Sequence, residues 1–200
     1  MSLRSLLLLS LLSLTPIAGQ AQVTAQFYNG IPTTAPGLGG SFGGLTAFCT
    51  VDIPSIQFVD RAAFTSFVTT NCAGRPAGFD GFSFGARFTG SLTASAAATY
   101  TFTGTADDGN SFWINGVNAR SSWGDQSGTY AFTAPLTATP NNAFQIDYYA
   151  NSFGLSFFTV DLPNGVRYST PTTVVPEPGS FALIGVGLAV LALRRRPRAG

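Results

Sequence analysis

The sequence contains no histidine, no lysine and few charged residues of any kind. The absence of histidine excludes Ser-His-Asp triads, histidine general bases and imidazole-coordinated metal sites. Charged residues make up 10% of the 200 residues and hydrophobic residues 45%, and the chain holds 23 glycines, 12 prolines and 18 phenylalanines. This composition excludes a coiled coil, a charged disordered tail and a helical bundle with a charged surface.

Positive charge is concentrated at the two ends of the chain. Four of the ten arginines lie in the last seven positions, and a fifth is Arg4. Between the termini, five arginines stand against eight aspartates, a balance of −3. Because a nucleic-acid-binding protein needs a basic patch to meet the phosphates, we expect no nucleic-acid partner.

The N-terminal segment has the three parts of a secretory signal peptide. Residues 1–4 supply a positive start, and residues 6–14 are almost unbroken leucine and serine. Gly19 and Ala21 fit the two small-residue positions before a signal-peptidase cleavage site. An N-terminal membrane anchor would need about 20 apolar residues, roughly twice this length. We therefore predict a cleaved signal peptide over residues 1–21.

The C-terminal segment combines a Pro-Glu-Pro sequence, an apolar run without charge and a cluster of three arginines, Arg194, Arg195 and Arg196. A transmembrane helix over residues 179–193 would rise about 22 Å, which is short for a hydrocarbon core of about 30 Å. Such a length also suits a buried core helix, but the position between the prolines and the arginines favours a membrane span. Because positive charge stays on the cytoplasmic side, the preceding domain would face outward.

This order of three elements resembles the PEP-CTERM sorting signal of Gram-negative bacteria, over residues 174–200. The resemblance implies a transient anchor in the inner membrane, processing by an exosortase, and export to the cell surface or the extracellular polysaccharide matrix. In this interpretation Pro176, Glu177 and Pro178 are recognised by the processing enzyme and have no catalytic role. The mature protein would then lose its membrane helix.

Cys49 and Cys72 are the only cysteines of the chain, and both lie in the exported segment. In an oxidising compartment, a single pair most simply forms a disulfide bond. Two thiols without a histidine make a poor zinc site. We predict a disulfide bond, with free or metal-bound thiols as the alternatives.

The central segment, residues 22–173, carries strand patterns and almost no helical ones. Apolar and polar residues alternate in four runs, which are residues 82–89, 99–105, 144–148 and 155–160. Asp108-Gly109 and Asn115-Gly116 are dipeptides preferred in type I′ turns, and each predicts a hairpin. Short strands with glycine-rich turns indicate an antiparallel β-sandwich or barrel. The glycine-rich stretch 31–44 is predicted to be a loop over it.

Part of this segment resembles a PA14 domain. The resemblance is carried by Phe88–Leu92, Tyr100–Phe102, Ala106–Gly109 and Phe112–Gly116, followed by Trp123. Phe27–Gly30 is similar to the family's first strand, and residues 143–160 are similar to its closing pair of strands. The resemblance implies an all-β fold, an antiparallel β-sandwich, here flanked by the signal peptide and the sorting helix. The fold occurs in glycosidases, toxins and yeast surface adhesins.

In the adhesin branch of this family, paired aspartates bind Ca²⁺, and the ion ligates sugar hydroxyls. Asp107 and Asp108 match that pair, and Asn151 is the candidate third ligand. Carboxylates and vicinal sugar hydroxyls suit Ca²⁺, which takes six to eight oxygen ligands. Asn110 and Trp123 are candidate carbohydrate contacts. The alternative is that Asp-Gly forms only a turn and that the tryptophans only pack against other residues.

Three functions remain open from the sequence. The leading hypothesis is an exported, non-enzymatic protein that binds an extracellular polysaccharide or surface glycan with Ca²⁺. The second is a structural matrix protein without a small ligand, which the scarcity of charge favours because charge repulsion keeps proteins apart. The third is a hydrolase that uses two carboxylates, for instance Asp107 with Asp125 or Asp147. No motif supports catalysis, so we expect no enzyme.

Overall fold

The computed structural model describes residues 23–138, 141–151 and 155–169. The elements in these ranges are β1 (Val23–Asn29), β2 (Ala47–Ile53), β3 (Gln57–Phe58), α1 (Arg61–Asn71), β4 (Phe84–Ala94), β5 (Ala98–Asp107), β6 (Asn110–Ile114), β7 (Val117–Ser122), β8 (Ser127–Leu136), β9 (Asn142–Ala150), β10 (Phe157–Asp161) and β11 (Val166–Tyr168). The four predicted alternating runs fall on β4, β5, β9 and β10.

The strands form two antiparallel sheets. The larger sheet has the order β2-β1-β4-β9-β6-β7, and β11 pairs with the far part of β4. The smaller sheet has the order β3-β10-β5-β8. The predicted all-β, antiparallel β-sandwich is therefore confirmed.

Aromatic side chains fill the space between the two sheets. Because alternate residues of a strand point to opposite faces, each alternating run supplies one inward row. The rings of Phe88 on β4 and Phe158 on β10 have centroids 5.7 Å apart, and those of Phe112 on β6 and Phe132 on β8 are 4.6 Å apart. Full burial of each such side chain contributes about 1.5–3 kcal/mol.

The sequence patterns do not predict helix α1, and none of the four alternating runs covers β2, β3, β8 or β11. The helix begins after Asp60, whose side chain accepts a hydrogen bond from the Ala63 backbone N–H at 2.7 Å. Phe64 and Val68 are four residues apart, so they lie on one face of the helix, and both are fully buried. The ring of Phe64 stacks on Phe58 of β3 with centroids 4.1 Å apart. The helix therefore extends the aromatic core.

The predicted disulfide bond is confirmed. Cys49 on β2 and Cys72 at the end of α1 are bonded, with Cα atoms 5.4 Å apart. Neither is a free cysteine, so the alternatives of free or metal-bound thiols are wrong. The bond ties the helix to an edge strand of the larger sheet.

The hairpin predicted at Asn115-Gly116 is confirmed. Asn115 has a φ of 51° and Gly116 a φ of 82°, as a type I′ turn requires at both central positions. The turn joins β6 and β7, which pair directly next to it at Ile114 and Val117.

The hairpin predicted at Asp108-Gly109 is wrong, because the chain changes sheet there. β5 pairs with β8 and β10, whereas β6 pairs with β7 and β9. The backbone N–H of Asp108 donates to the carbonyl oxygen of Tyr149, and the N–H of Tyr149 donates to that of Gly109, each at 3.0 Å. The corner is thus bonded to the end of β9. A Cβ at position 109 would collide with the Tyr149 ring, so this corner needs glycine.

Two further links change sheet at the same end of the sandwich. Residues 123–126 lead from β7 to β8, and residues 151–156 lead from β9 to β10. Residues 143–160 thus hold two strands, β9 and β10, which lie in different sheets. Asp107, the last residue of β5, lies opposite both Ser127 of β8 and Phe157 of β10. We call this the crossing end.

The last described strand, β11, pairs with the opposite end of β4, which we call the exit end. Phe84, the first residue of β4, lies opposite Ala150 near the crossing end, whereas β11 pairs with residues 92–94 at the close of β4. β4 has eleven residues, about 35 Å at the usual rise of an antiparallel strand. Tyr168, where β11 ends, is therefore far from the crossing end.

The predicted loop over the sandwich is confirmed for residues 31–44, which lie over the outer face of the larger sheet. The ring of Phe42 stacks on Tyr28 with centroids 4.2 Å apart. Nη1 of Arg87 donates to the Gly40 carbonyl at 2.6 Å, and the same guanidinium pairs with Asp147. A buried ion pair thus anchors the loop.

The predicted signal peptide (residues 1–21) and sorting segment (residues 174–200, with the helix over 179–193) lie outside the described residues. No helix in the described ranges is long and apolar enough to cross a membrane. The predicted boundaries of the three segments therefore stay predictions.

Candidate functional site

Asp107 and Asp108 lie at the crossing end, where β5 gives way to β6. Only 6% of Asp107 and 8% of Asp108 is exposed, and the peptide bond between them is cis. The hydroxyl of Tyr148, inside the core, donates to the Asp107 carbonyl oxygen. The Asn110 side-chain amide donates to the Asp108 carbonyl oxygen at 3.4 Å. Side chains from two neighbouring strands thus hold the backbone of the pair.

The structure brings Asn151 and Asp125 next to this pair. The backbone N–H of Asn151 donates to Oδ2 of Asp108 at 2.6 Å, and its Nδ2 donates to Oδ2 of Asp125 at 2.9 Å. The Tyr149 hydroxyl donates to the other carboxylate oxygen of Asp125 at 3.1 Å. All three links that change sheet at the crossing end therefore contribute residues to one cluster of polar side chains. We call Asp107, Asp108, Asp125 and Asn151 the aspartate cluster.

From the sequence, Asp125 is predicted only as half of a catalytic pair, and no contact between Asp125 and Tyr149 is predicted. No local signal marks either residue for this place, because their contact depends on how two crossings meet. The one sign of this contact in the sequence is the glycine after the two aspartates, because Gly109 leaves the space that the Tyr149 ring occupies.

No described arginine forms an ion pair with the aspartate cluster. In the described ranges, the one ion pair is that of Arg87 and Asp147, beneath the loop. Burial raises the pKa of Asp108, and the backbone N–H of Asn151 partly offsets this. The neighbouring charges of Asp107 and Asp125 raise that pKa further.

The cluster fits a hard cation that is bound from one side. The Asp107 carboxylate accepts no hydrogen bond from the described residues, and its oxygens are not among the fully buried atoms without a partner, so a cation can reach them from solvent. Carboxylate and amide oxygens are ligands that Ca²⁺ prefers. No group of three or more acidic, histidine or cysteine side chains in the described chain closes around a metal position. Water or ligand hydroxyls would therefore complete the six to eight ligands of Ca²⁺.

Asn110, predicted as a sugar contact, is fully buried. Its Oδ1 accepts a hydrogen bond from Nε of Arg120 at 2.9 Å, while its amide nitrogen contacts the Asp108 carbonyl. Both ends of the side chain are therefore engaged, and it presents no surface to a sugar. We correct its role to that of a positioning residue, which links β7 to the aspartate corner.

Trp123 is half-buried in the link between β7 and β8. Its indole N–H donates to the Pro32 carbonyl oxygen at 3.1 Å, and its ring lies edge-on to those of Tyr149 and Phe42. Trp123 thus fastens the loop to the crossing end. Its predicted stacking on a sugar stays a prediction.

Residues 55–151 match the family model of the PA14 domain. The chain carries a PA14 domain. The match includes the whole aspartate cluster and ends at Asn151. Residues 174–196 match the PEP-CTERM protein-sorting motif, so the chain also carries a signal for export and membrane-anchored sorting.

Solved structures of PA14 domains share the fold. The PA14 domain of the MpAFP antifreeze protein superposes with a TM-score of 0.57 at 19% identity, over 80% of this chain and 88% of that one. The PA14 sugar-binding domain from an RTX adhesin gives 0.53 at 19% identity, over 74% and 89%. An anti-sigma factor domain-containing protein from Clostridium clariflavum gives 0.52 at 17% identity, over 74% of this chain and 44% of that protein. The comparison with curated proteins finds no match.

Proposed function

We propose that the PA14 domain binds glycan at its crossing end, with Ca²⁺ held by Asp107 and Asp108. The observation that carries the proposal is a pair of largely buried aspartates that, in the described chain, forms no ion pair with an arginine and whose Asp107 carboxylate accepts no hydrogen bond. A domain of the same fold, from the RTX adhesin, is described as sugar-binding. The domain would act on its ligand by binding alone.

Each residue of the cluster has its own task in this proposal. Asp107 and Asp108 hold the cation with Asn151 as the proposed third ligand, and the backbone N–H of Asn151 orients the Asp108 carboxylate. Asp125 orients Asn151 in turn, and the Tyr149 hydroxyl fixes Asp125. Bound Ca²⁺ supplies the positive charge that the cluster lacks and coordination positions for vicinal sugar hydroxyls.

Thermal unfolding of residues 22–173 in millimolar Ca²⁺ and in EDTA tests the metal site. At about one hundred times the dissociation constant, Ca²⁺ should add about 2.7 kcal/mol, which raises the Tm by roughly 5–10 °C. Asp107→Asn/Asp108→Asn should abolish this rise. Asp161→Asn, which removes one exposed charge from β10 at a distance from the cluster, should keep it.

Glycan-array binding of the same proteins tests the ligand. We expect binding that EDTA and the double variant remove and that Asp161→Asn retains. Binding that survives both treatments would contradict the role of Ca²⁺. If the unfolding curves in saturating Ca²⁺ and in EDTA coincide and no glycan binds, the two aspartates serve only to form the corner between β5 and β6.

A structural matrix protein is the second candidate function. The observation in its favour is the outer face of the smaller sheet, where exposed threonines of β5 and β8 form an uncharged surface: Thr99, Thr101, Thr103, Thr129 and Thr133. The hydrolase hypothesis has less support, because the fold gives the aspartates a shared buried cluster rather than two opposed positions along a cleft. Turnover of a chromogenic glycoside, lost in Asp107→Asn, would restore it.

We place the protein at the cell surface or in the extracellular matrix, with an exosortase as its processing partner. The sorting motif supports this location. Mass spectrometry of the exported chain checks it, because processing should remove the arginines at positions 194–196.

A further inference from the structure

The sheet edges of the described chain differ in their protection against pairing with another strand. β2 carries Asp52 and a bulge at Phe48, and β7 carries Arg120 and a bulge at Ala119. β3 has two residues, and β11 has three, including Arg167. Charges, bulges and short length are the usual ways in which proteins prevent edge-to-edge association.

Strand β8 has neither a charge, a bulge nor a short length, and its one protection of this kind is Pro135, near its end. It is the last strand of the smaller sheet, it has ten residues without a charge, and its register with β5 is unbroken from end to end. The side chain of Arg120 and a cavity of about 40 Å³ lie beside its first residues, up to Tyr130. From Ala131 to Leu136, no described residue hydrogen-bonds to β8 on the side away from β5.

We propose that this open edge, residues 131–136, pairs with the same edge of a second copy of the chain. Unpaired backbone N–H and C=O groups in a row are satisfied best by another extended strand. Pro135 lacks an N–H and so limits the hydrogen-bonded part to the residues before it. Antiparallel pairing of two identical strands is isologous and closes as a dimer.

The charge on β8 favours a second copy over a charged partner strand. Two identical edges meet without like-charge repulsion, whereas a strand with charged residues would find no opposite charge on β8. In such a pair, the outward residues Ala131 and Thr133 oppose one another, and the inward residues Phe132 and Ala134 extend the core of both copies. The neutral threonine face then continues across the dimer.

The pairing acts at a different surface from the aspartate cluster and does not rest on glycan binding. Because the two β8 strands run in opposite directions, the crossing ends of the two copies point away from each other. A dimer would therefore carry one aspartate cluster at each of its far ends.

Cysteine cross-linking of the full chain in detergent tests the pairing. Opposed residues of an antiparallel pair have Cα atoms about 4.5–5.5 Å apart, within reach of a disulfide bond. The double variant Ala131→Cys/Thr133→Cys places thiols of the two copies opposite each other whether the two-fold axis of the strand pair passes through residue 131, 132 or 133. Thr101→Cys/Thr103→Cys is the matched control, because these residues lie beside the same positions on the same face but inside the sheet.

We expect the edge variant to form a covalent dimer under mild oxidation and the control variant to stay monomeric. In sedimentation of the chain without added cysteines, Ala131→Lys/Thr133→Lys should weaken the dimer at least tenfold more than Thr101→Lys/Thr103→Lys. Three results would each overturn the proposal. They are equal cross-linking of the two cysteine variants, equal effects of the two lysine variants, and a wild-type chain that stays monomeric to about 1 mM, the weak end of measurable association.

Discussion

Asn151 donates its backbone N–H to Oδ2 of Asp108 at 2.6 Å, although 43 residues separate them in the sequence. Asp108 directly follows β5, at the start of the crossing to β6, and Asn151 directly follows β9. The geometry of the site therefore depends on how two sheets are joined and not on a local turn. Changes at the corner should act on fold and site together.

The Gly109 corner provides a direct check. Gly109→Ala would place a Cβ against the Tyr149 ring, and overpacking of this kind costs about 1–3 kcal/mol. We expect a matching loss in the free energy of unfolding by urea, together with weaker Ca²⁺ binding. Gly124→Ala has open space around it and should be neutral. Equal stability of the two variants would show that the corner tolerates a side chain.

The buried ion pair beneath the loop gives a pH-dependent prediction. Burial raises the pKa of Asp147, and its contacts with Arg87 lower it, so Arg87→Met should raise that pKa further. A pKa that is higher in the folded than in the unfolded chain gives stability that is present at low pH and lost as the pH rises. The variant should therefore lose about 3–5 kcal/mol at pH 7 and less at pH 4.

Urea unfolding of Arg87→Met between about pH 4 and pH 7 checks this sign. Arg87→Met/Asp147→Asn should remove the added pH dependence, because it leaves no carboxylate beneath the loop. A loss that stays constant over the range would mean that the packing of the arginine matters and its charge does not.

The disulfide bond should carry a large part of the stability of the exported protein. Cys49 and Cys72 are 23 residues apart, and closing a loop of this size contributes about 3 kcal/mol. Reduction should lower the Tm by roughly 6–12 °C. In calorimetry, Cys49→Ala/Cys72→Ala should melt near the reduced wild type and show no response to reductant.

The start of α1 should be sensitive to one side chain. Asp60→Ala removes the acceptor of the Ala63 N–H and should cost about 1 kcal/mol, whereas Asp60→Asn can still cap the helix and should cost less. Chemical denaturation of the two variants measures the difference. Equal losses would assign the effect to charge and not to capping.

Much of the sandwich can be predicted from the sequence, because its strands alternate clearly. β5, with an outward row of threonines and an inward row of aromatics, shows the period of two. β8 has the same alternation, but none of the four predicted runs includes it. Helix α1 escapes prediction since its threonines, serine and asparagine are poor helix formers. Asp60 before it and the spacing of Phe64 and Val68 are the signals that could reveal it.

The site is predicted only in part, for a different reason. Asp107 and Asp108 stand out as a pair in the sequence, but Asp-Gly is equally typical of a hairpin. Whether the chain turns back or crosses to the other sheet depends on partners far along the chain, here Tyr149. The burial of Asn110 and the place of Asp125 follow from the same long-range pairing.

The separation of the crossing end from the exit end has a consequence for the protein while it is tethered. The described chain is still bonded to β4 at Ser169, whose backbone N–H donates to the Ser91 carbonyl oxygen, and the sorting motif begins at residue 174, a few residues later. Ser91 is seven positions along β4 from Phe84 at the crossing end, which is about 24 Å at the usual rise of a strand. In a molecule held through the motif, the attachment point and the aspartate cluster would therefore lie apart on the domain, and a long polymer could bind at one without displacing the other.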